Sequence, residues 1–168
     1  RDFVAREGPG LVDFATWCAL AEVHGQVWSE WPHELQDPSS PEVAKARDDL
    51  ADRVDFFCWL QWVLDEQLAT AQRRAVDAGM SLGVVHDLAV GVHADGADTW
   101  ALRDVMARGV SVGAPPDAFN QVGQDWSQPP WRPDRLEELA YAPFRELIGN
   151  VLRHAGGVRL EGLRLIYL

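Results

Sequence analysis

Hydrophobic residues recur at helical spacing along the first 80 residues of the chain. Residues 11–24 place apolar side chains three and four positions apart, which predicts a short amphipathic helix that Gly25 stops. A long helix is predicted to begin at Pro41, with Ser39 or Ser40 as its N-cap, because proline is favoured in a first helical turn. One face of that helix carries apolar residues until Ala78 and Gly79 end the pattern: Leu50, Val54, Phe57, Leu64, Leu68, Ala71 and Ala75.

The pattern changes after these helices. Residues 82–92 are dominated by small and β-branched apolar side chains, as in a strand that is buried on both faces of a parallel sheet. A second sequence of helix and strand begins at Pro133 and runs to Leu160, and Pro143 is expected to kink or divide its helix. Two such units predict an α/β fold. They are typical of part of a (β/α)8 barrel, in which ligand-binding residues gather in loops at the carboxyl ends of the strands.

The composition narrows the range of partners. A formal net charge of -11 argues against nucleic acid and against an anionic membrane surface, since both call for basic patches. No apolar run is long enough to span a bilayer, and no signal peptide is visible. Cys18 and Cys58 lie in apolar helical contexts without metal or redox spacing, which predicts reduced, buried thiols and a cytoplasmic location. The chain opens at Arg1 and closes on an apolar string, so we expect it to belong to a longer polypeptide.

One segment combines stiffness with polar chemistry. Residues 113–133, GAPPDAFNQVGQDWSQPPWRP, hold five prolines, two tryptophans, two aspartates and three glutamines. The Gly-Ala-Pro-Pro start is predicted to exclude helical or ladder hydrogen bonding, so a stiff loop is expected. Carboxylates and amides bond pairs of hydroxyls, while Phe119, Trp126 and Trp131 offer flat apolar faces, which points to a carbohydrate ligand. The alternative is an ordinary connecting loop whose tryptophans close the edge of a core.

The order of residues in this segment resembles the gating loop of the bacterial 4-alpha-glucanotransferases, also called amylomaltases or disproportionating enzymes. That family's pattern is Gly, a small residue, Pro-Pro-Asp, any residue and Phe, followed by Gly-Gln, any residue and Trp. Here it reads Gly-Ala-Pro-Pro-Asp-Ala-Phe at 113–119 and Gly-Gln-Asp-Trp at 123–126. Residues 17–25, 56–72 and 87–100 also resemble the family in the same order. The resemblance therefore covers nearly the whole chain, and it weakens only after Gly157.

The resemblance implies contacts to substrate at five positions between residues 95 and 126. Asp95, in the segment HADGADTW, aligns with the aspartate that contacts the sugar at the point of cleavage. The alternative for Asp95 is an Asx turn, in which a carboxylate caps local backbone. The resemblance further implies hydroxyl bonding by Asp117 and Gln124 and apolar contact by Phe119 and Trp126. The alternative for these four residues is a surface loop that packs on itself.

The nucleophile is where the sequence departs from the family. The family sequence of Arg, an aliphatic residue, Asp and His is matched here by Arg159, Leu160, Glu161 and Gly162. The resemblance implies substrate contact by Arg159 and covalent catalysis by Glu161, since retaining enzymes use two carboxylates about 5 to 5.5 Å apart. Glutamate has an extra methylene, and a displacement of about 1 Å costs on the order of a hundredfold in rate. The alternative is a solvated glutamate near the chain end. The family's general acid and third carboxylate lie beyond Leu168.

The resemblance implies a retaining 4-alpha-glucanotransferase that transfers α-1,4-glucan segments between maltooligosaccharides. Its implied fold is a partial (β/α)8 TIM barrel with a large helical insertion, because a whole barrel needs about 250 residues. No metal or other cofactor is expected, since the five histidines show no metal spacing and no phosphate or dinucleotide loop is present. The alternative function is a non-catalytic glucan-binding or interaction fragment. The expected division is a single partial catalytic domain over 1–168, with a mainly helical part at 1–80, a barrel strand and loop at 81–100, the gating loop at 113–133, and a helix and barrel strand at 134–168.

Overall fold

The structure is a computed structural model that describes residues 1–89 and 91–160. The helices are α1 (Asp2–Glu7), α2 (Pro9–His24), α3 (Pro41–Asp49), α4 (Ala51–Asp77), α5 (Ala97–Ala101), α6 (Pro133–Glu138) and α7 (Ala142–Leu152), and the strands are β1 (Val85–Leu88), β2 (Val112–Ala114), β3 (Gln124–Gln128) and β4 (Gly157–Leu160). The predicted α/β class is therefore confirmed. None of the helices in these residues is long and apolar enough to cross a membrane.

The chain divides into two compact units. The first unit consists of Arg1–Leu64 and Asp95–Arg103, and the second consists of Asp65–Ala94 and the described residues from Asp104 onward. Helices α1 to α3, the first half of α4, and α5 belong to the first unit. The second unit contains the four strands, the last turns of α4, and helices α6 and α7.

Three buried tryptophans, Trp28, Trp31 and Trp100, form the core of the first unit. The ring centroids of Trp31 and Trp100 lie 6.2 Å apart in an edge-to-face arrangement, which aromatic pairs favour. The indole N–H of Trp100 donates to the Leu35 carbonyl at 3.0 Å, and that of Trp31 donates to the Gly25 carbonyl at 2.8 Å. These partners satisfy the indole N–H groups that burial removes from water. The packing fixes α5 within the first unit.

The prediction of one long helix from Pro41 is wrong in one respect, because the helix is interrupted at Leu50. Its start is confirmed, since the Ser40 hydroxyl oxygen accepts a hydrogen bond from the Val43 N–H at 3.0 Å. Leu50 then departs from helical geometry, with φ -106° and ψ 21°. The Leu50 side chain packs against both hydrophobic clusters of the first unit, so tertiary packing outweighs the local preference for a continuous helix.

The predicted apolar face of α4 is buried only near the start of the helix. Val54 and Cys58 are buried, whereas Leu64 is 46% exposed. Both cysteines are free thiols as predicted, although Cys18 on α2 is half-buried rather than buried. Burial raises the pKa of Cys18 to about 11. Both thiols therefore behave as packing groups, and neither is a ready nucleophile.

Strands β1 and β4 pair in parallel, with Val85 opposite Gly157 and Leu88 opposite Leu160. Parallel strands need a crossover connection, and α7, which precedes β4, packs against both strands. This agrees with the helix-to-strand units read from the sequence. The prediction of a buried strand over 82–92 is wrong, because β1 is four residues long and Val85 is 51% exposed. In the part of the chain that the structure describes, this sheet consists of β1 and β4 alone, so no further strand flanks the pair.

The expectation that residues 113–133 lack ladder hydrogen bonds is also wrong. Gly113 and Ala114 pair with Asp125 and Gln124, so that β2 and β3 form an antiparallel hairpin. Gly113 and Ala114 both precede Pro115, so the proline removes no N–H donor from the ladder. The prolines restrict only the tip and the exit of the segment, and β-pairing holds its two sides together.

Pro143 divides the second helical segment, as predicted. Helix α6 ends at Glu138, and α7 begins at Ala142 with Pro143 in its first turn. Proline is well tolerated there because the first N–H groups of a helix have no intrahelical acceptor. Between the two helices, Ala140 and Tyr141 adopt positive φ angles of 48° and 59°. The chain thus passes through a tight turn before α7.

Candidate functional site in the β2–β3 hairpin

Two glycines allow the hairpin to close. A Cβ atom at Gly113 would overlap the backbone carbonyl oxygen of Gln124 on the opposite strand. Gly123 has a φ of 76°, and a Cβ there would lie 2.8 Å from the Ala114 carbonyl oxygen. Both positions therefore require glycine for close approach of the two strands. A glycine beside a predicted turn is the sequence signal for such an approach.

Asp117 organises the tip of the hairpin. Its Oδ1 accepts hydrogen bonds from the backbone N–H groups of Phe119 and Asn120, each at 2.7 Å. The Asp117 N–H in turn donates to the Asn120 carbonyl at 2.9 Å. This is an Asx turn, in which the side chain takes the place of a backbone acceptor. Only one carboxylate oxygen takes part in these bonds, so the turn fixes the position of the carboxylate.

The tip presents two apolar side chains to solvent. Phe119 is 100% exposed and Val122 is 91% exposed. Phe119 was predicted from the sequence to contact substrate, whereas Val122, at a position that the motif does not specify, was not. The apolar surface of both side chains is therefore available for contact with a ligand.

Gln124 and Trp126 contact each other on β3. The Trp126 indole N–H donates to the Gln124 Oε1 at 3.0 Å. Gln124 is exposed and Trp126 is half-buried. The bond engages the amide oxygen of Gln124 and leaves the two N–H donors of the amide for another acceptor. The structure therefore brings these two predicted residues together.

Asp95 lies in the first unit, apart in the chain from the hairpin. Its Oδ1 accepts a hydrogen bond from the Ser29 hydroxyl at 2.7 Å. The residue is half-buried, and it precedes α5, which the Trp100 packing holds in place. Ser29 was not identified from the sequence, because 66 residues separate the two partners. The interaction gives the carboxylate a defined direction.

Arg159 lies on β4, in the second unit. Its Nε and Nη2 atoms donate to the two carboxylate oxygens of Asp87 at 2.6 and 2.7 Å. The two residues are register partners on β4 and β1, so the pair is a bidentate cross-strand ion pair. The sequence reasoning missed Asp87. Glu161, the predicted nucleophile, lies outside the described residues.

Residues 1–89 and 91–160 contain no group of three or more His, Cys, Asp or Glu side chains that could hold a metal ion. What the hairpin offers instead is a carboxylate, an amide and exposed apolar groups within one short stretch of chain. Carboxylate and amide groups bond hydroxyls, and aromatic faces contact the C–H faces of sugar rings. The arrangement suits a neutral polyhydroxylated ligand.

The comparisons with known proteins agree with this chemistry. The family model described as 4-alpha-glucanotransferase matches residues 1–164. The 4-alpha-glucanotransferase of Mycobacterium tuberculosis is 64% identical over 159 residues, which cover 95% of this chain and 22% of the relative. That of Haemophilus influenzae is 34% identical over 134 residues, which cover 80% of this chain and 19% of the relative. The chain thus spans about a fifth of the length of these relatives.

Two solved structures are similar to the chain. The amylomaltase from Corynebacterium glutamicum has 54% sequence identity and a TM-score of 0.76, covering 95% of this chain and 21% of that one. The amylomaltase from Streptococcus agalactiae has a TM-score of 0.81 at 20% identity, covering 92% of this chain and 32% of that one, which shows likeness of fold. The predicted family is therefore confirmed. By its sequence over almost its whole length, the chain belongs to the 4-alpha-glucanotransferase family.

Proposed function

We propose that the chain is the glucan-contacting part of a 4-alpha-glucanotransferase, which moves α-1,4-glucan segments between maltooligosaccharides. The observation that carries this proposal is the β2–β3 hairpin. It combines the fixed Asp117 carboxylate, the exposed Phe119 ring and the Gln124–Trp126 pair. Such a hairpin suits a glucan because it offers hydroxyl partners and apolar faces together.

Each hairpin side chain has a specific task in this proposal. The second carboxylate oxygen of Asp117 and the amide N–H groups of Gln124 bond glucose hydroxyls. Phe119 and Trp126 contact the apolar faces of the sugar rings. The Streptococcus agalactiae amylomaltase was solved in complex with acarbose, and this supports a sugar-type ligand.

Asp95 and Arg159 are proposed as further substrate contacts. The Ser29 hydroxyl orients the Asp95 carboxylate, which would accept hydrogen bonds from hydroxyls of the glucan. The bidentate ion pair with Asp87 orients the guanidinium of Arg159 beside the strand pair.

Glu161 is proposed as the nucleophile of a retaining mechanism. Its carboxylate would attack the anomeric carbon as the bond to the leaving glucan oxygen breaks and an acid protonates that oxygen. The 4-hydroxyl of an acceptor glucan would then give its proton to the conjugate base of that acid, attack the anomeric carbon of the glycosyl-enzyme and release the carboxylate. In this scheme the β2–β3 hairpin covers the acceptor side and excludes water, which favours transfer over hydrolysis. The parallel β1–β4 pair and α7 support a place in a partial (β/α)8 barrel, and the free thiols support a cytoplasmic location.

The test is incubation of the purified chain with maltotriose, with glucose and longer maltooligosaccharides followed by chromatography. Titration calorimetry with maltoheptaose measures binding in parallel. Longer products that disappear in Glu161→Gln support the transferase with Glu161 as its nucleophile. Trp126→Ala should raise hydrolysis relative to transfer, whereas the matched control Trp59→Ala, at an exposed tryptophan outside the hairpin, should not.

A second candidate is a non-catalytic glucan-binding fragment. The observation in its favour is the sequence Glu161-Gly162, which stands where the family pattern has Asp and His. Binding of maltoheptaose without any products would support this candidate. If the chain neither binds nor converts glucans, both candidates are wrong.

A further inference from the structure

The β2–β3 hairpin contains an irregularity at the predicted substrate-contacting tryptophan. Gly113 pairs with Asp125, but the preceding residue of β2, Val112, pairs with Gln128. One step along β2 therefore corresponds to three steps along β3, and Trp126 and Ser127 are the residues left over. This is a β-bulge, and bulges redirect the side chains that lie in them. The direction of Trp126 thus depends on how the bulge is held.

A single carboxylate oxygen holds the bulge. Asp125 Oδ1 accepts a hydrogen bond from the Ser127 N–H at 2.8 Å and one from the Ser111 hydroxyl at 2.5 Å. Ser127 has a φ of 54°, a left-handed conformation that is uncommon for a residue other than glycine. The first bond lies within β3 and the second reaches the residue that precedes β2. Asp125 therefore fastens the two sides of the hairpin at the point where regular pairing stops.

We propose that Asp125 is a positioning residue, whose carboxylate closes the bulge and thereby fixes Trp126 in the direction in which it contacts glucan. The proposal rests on the proposed function for the use of Trp126, but the closing of the bulge is a property of the hairpin itself. Asp125 acts through its neighbours and does not touch the ligand. It occupies a position that the motif leaves open, so it was not a candidate before the structure was known.

The electrostatics agree with this role. The Ser111 hydroxyl and then the Ser127 N–H lower the pKa of Asp125 below its ordinary value, because both donors favour the charged carboxylate. The neighbouring side chains Gln124 and Trp126 are held together by their own hydrogen bond, so a shift of Trp126 would also move Gln124. A bulge that loses its carboxylate should therefore disturb both residues at once.

The side-chain chemistry predicts which substitution should preserve the bulge. The carbonyl oxygen of an asparagine side chain has two lone pairs and can accept from both Ser111 and Ser127. Asp125→Asn should therefore keep the geometry, whereas Asp125→Ala removes the acceptor. A matched control is Asp77→Ala, at an exposed aspartate at the end of α4.

The experiment uses the full chain labelled with ¹⁵N. The indole N–H signal of Trp126 is assigned by its loss in Trp126→Phe, and maltoheptaose affinity is measured by calorimetry. We expect Asp125→Ala to shift the Trp126 indole signal and to weaken maltoheptaose binding by about tenfold, the scale of one lost hydrogen bond to a charged group. Asp125→Asn should leave the signal in place and the affinity within about twofold of the original. Asp77→Ala should change neither quantity.

An unmoved Trp126 signal in Asp125→Ala would overturn the proposal. So would an Asp125→Asn chain that behaves like Asp125→Ala, since the two accepted bonds would then not be the cause. If the unaltered chain binds no maltoheptaose, the proposed function fails, but the indole signals still decide whether Asp125 sets the direction of Trp126.

Discussion

Gly113→Ala is the substitution that most directly tests the hairpin geometry. The new Cβ would overlap the Gln124 carbonyl oxygen, and it would also lie 3.1 Å from the Gln124 carbonyl carbon and 3.4 Å from the Asp125 Cα. All three neighbours are backbone atoms, so no side-chain rotation can relieve the overlap. Gly113 itself does not have a positive φ, so the penalty comes from crowding rather than from an unfavourable backbone conformation.

The expected free-energy cost of closing the hairpin in Gly113→Ala is large. Added methyl groups in packed sites cost about 1 to 3 kcal/mol, and we expect the upper end because paired backbone must move. About 3 kcal/mol corresponds to a loss of roughly a hundredfold in the ratio of closed to open hairpin. The matched control is Gly149→Ala in α7, where a Cβ meets nothing within 4 Å. Alanine there should stabilise by about 0.5 to 1 kcal/mol, since glycine is a poor helix former.

The assay is amide hydrogen exchange of residues 124–128, combined with thermal unfolding followed by circular dichroism. Gly113→Ala should speed exchange of the hairpin amides by roughly a hundredfold. It should also weaken maltoheptaose binding, because the proposed glucan-binding form is the closed hairpin. Gly149→Ala should raise the melting temperature by about 1 to 4 °C without affecting the hairpin. If Gly113→Ala keeps the exchange rates of the unaltered chain, the close approach of β2 and β3 and the reasoning built on it are wrong.

Three further predictions concern other parts of the chain. Ser40→Ala removes the hydroxyl that caps the Val43 N–H of α3, so the free energy of unfolding measured in urea should fall by about 1 kcal/mol. An unchanged free energy of unfolding would show that this cap does not stabilise the chain. Phe119→Ala should leave the melting temperature unchanged, because the ring is fully exposed. Its affinity for maltoheptaose, measured by calorimetry, should fall by about tenfold. A loss of stability would instead show that the ring packs against the protein. Cys18 should react with iodoacetamide far more slowly than free cysteine at pH 8, because its pKa of about 11 leaves only about one thiol in a thousand as thiolate. Reaction at the rate of free cysteine would contradict the burial of this thiol. Full reactivity in denaturant provides the control.

The helices were largely predictable from the sequence because their signals are local. The Ser40 cap and the break at Pro143 follow from the hydrogen-bonding needs of a helix start, which a short stretch of sequence contains. The break at Leu50 was not predictable, since residues 46–51 contain no glycine or proline. Leu50 leaves the helix while packing on two clusters whose members come from distant parts of the chain. Local patterns do not carry that information.

The burial of β1 was misjudged for a related reason. The apolar residues of 82–92 indicate the surroundings that a strand is suited to, which in a parallel sheet means neighbours and helices on both faces. In the described residues β1 has β4 as its strand partner and α7 packed against it, and Val85 is more than half exposed. The pattern predicted a strand in a parallel sheet, but it does not show how much of that strand the rest of the chain covers.

The backbone pairing of the β2–β3 hairpin was not predictable from the local sequence. The residues of β3, Gln-Asp-Trp-Ser-Gln, have no alternation of apolar and polar positions, so nothing in them indicates a strand. Pairing there depends on Gly113 facing Asp125 and on the Asp125 carboxylate that closes the bulge.

The side chains predicted to contact a ligand also order the hairpin. Asp117 uses one oxygen to form the turn, and Gln124 uses its amide oxygen to hold the Trp126 indole. What remains for a ligand is the second Asp117 oxygen and the Gln124 amide donors, both already fixed in direction. A sugar that binds these groups does not have to order them first, which reduces the entropic cost of binding. The same residues can therefore satisfy both readings of the sequence, a loop that packs on itself and a loop that binds glucan, because the first supplies the rigidity that the second requires.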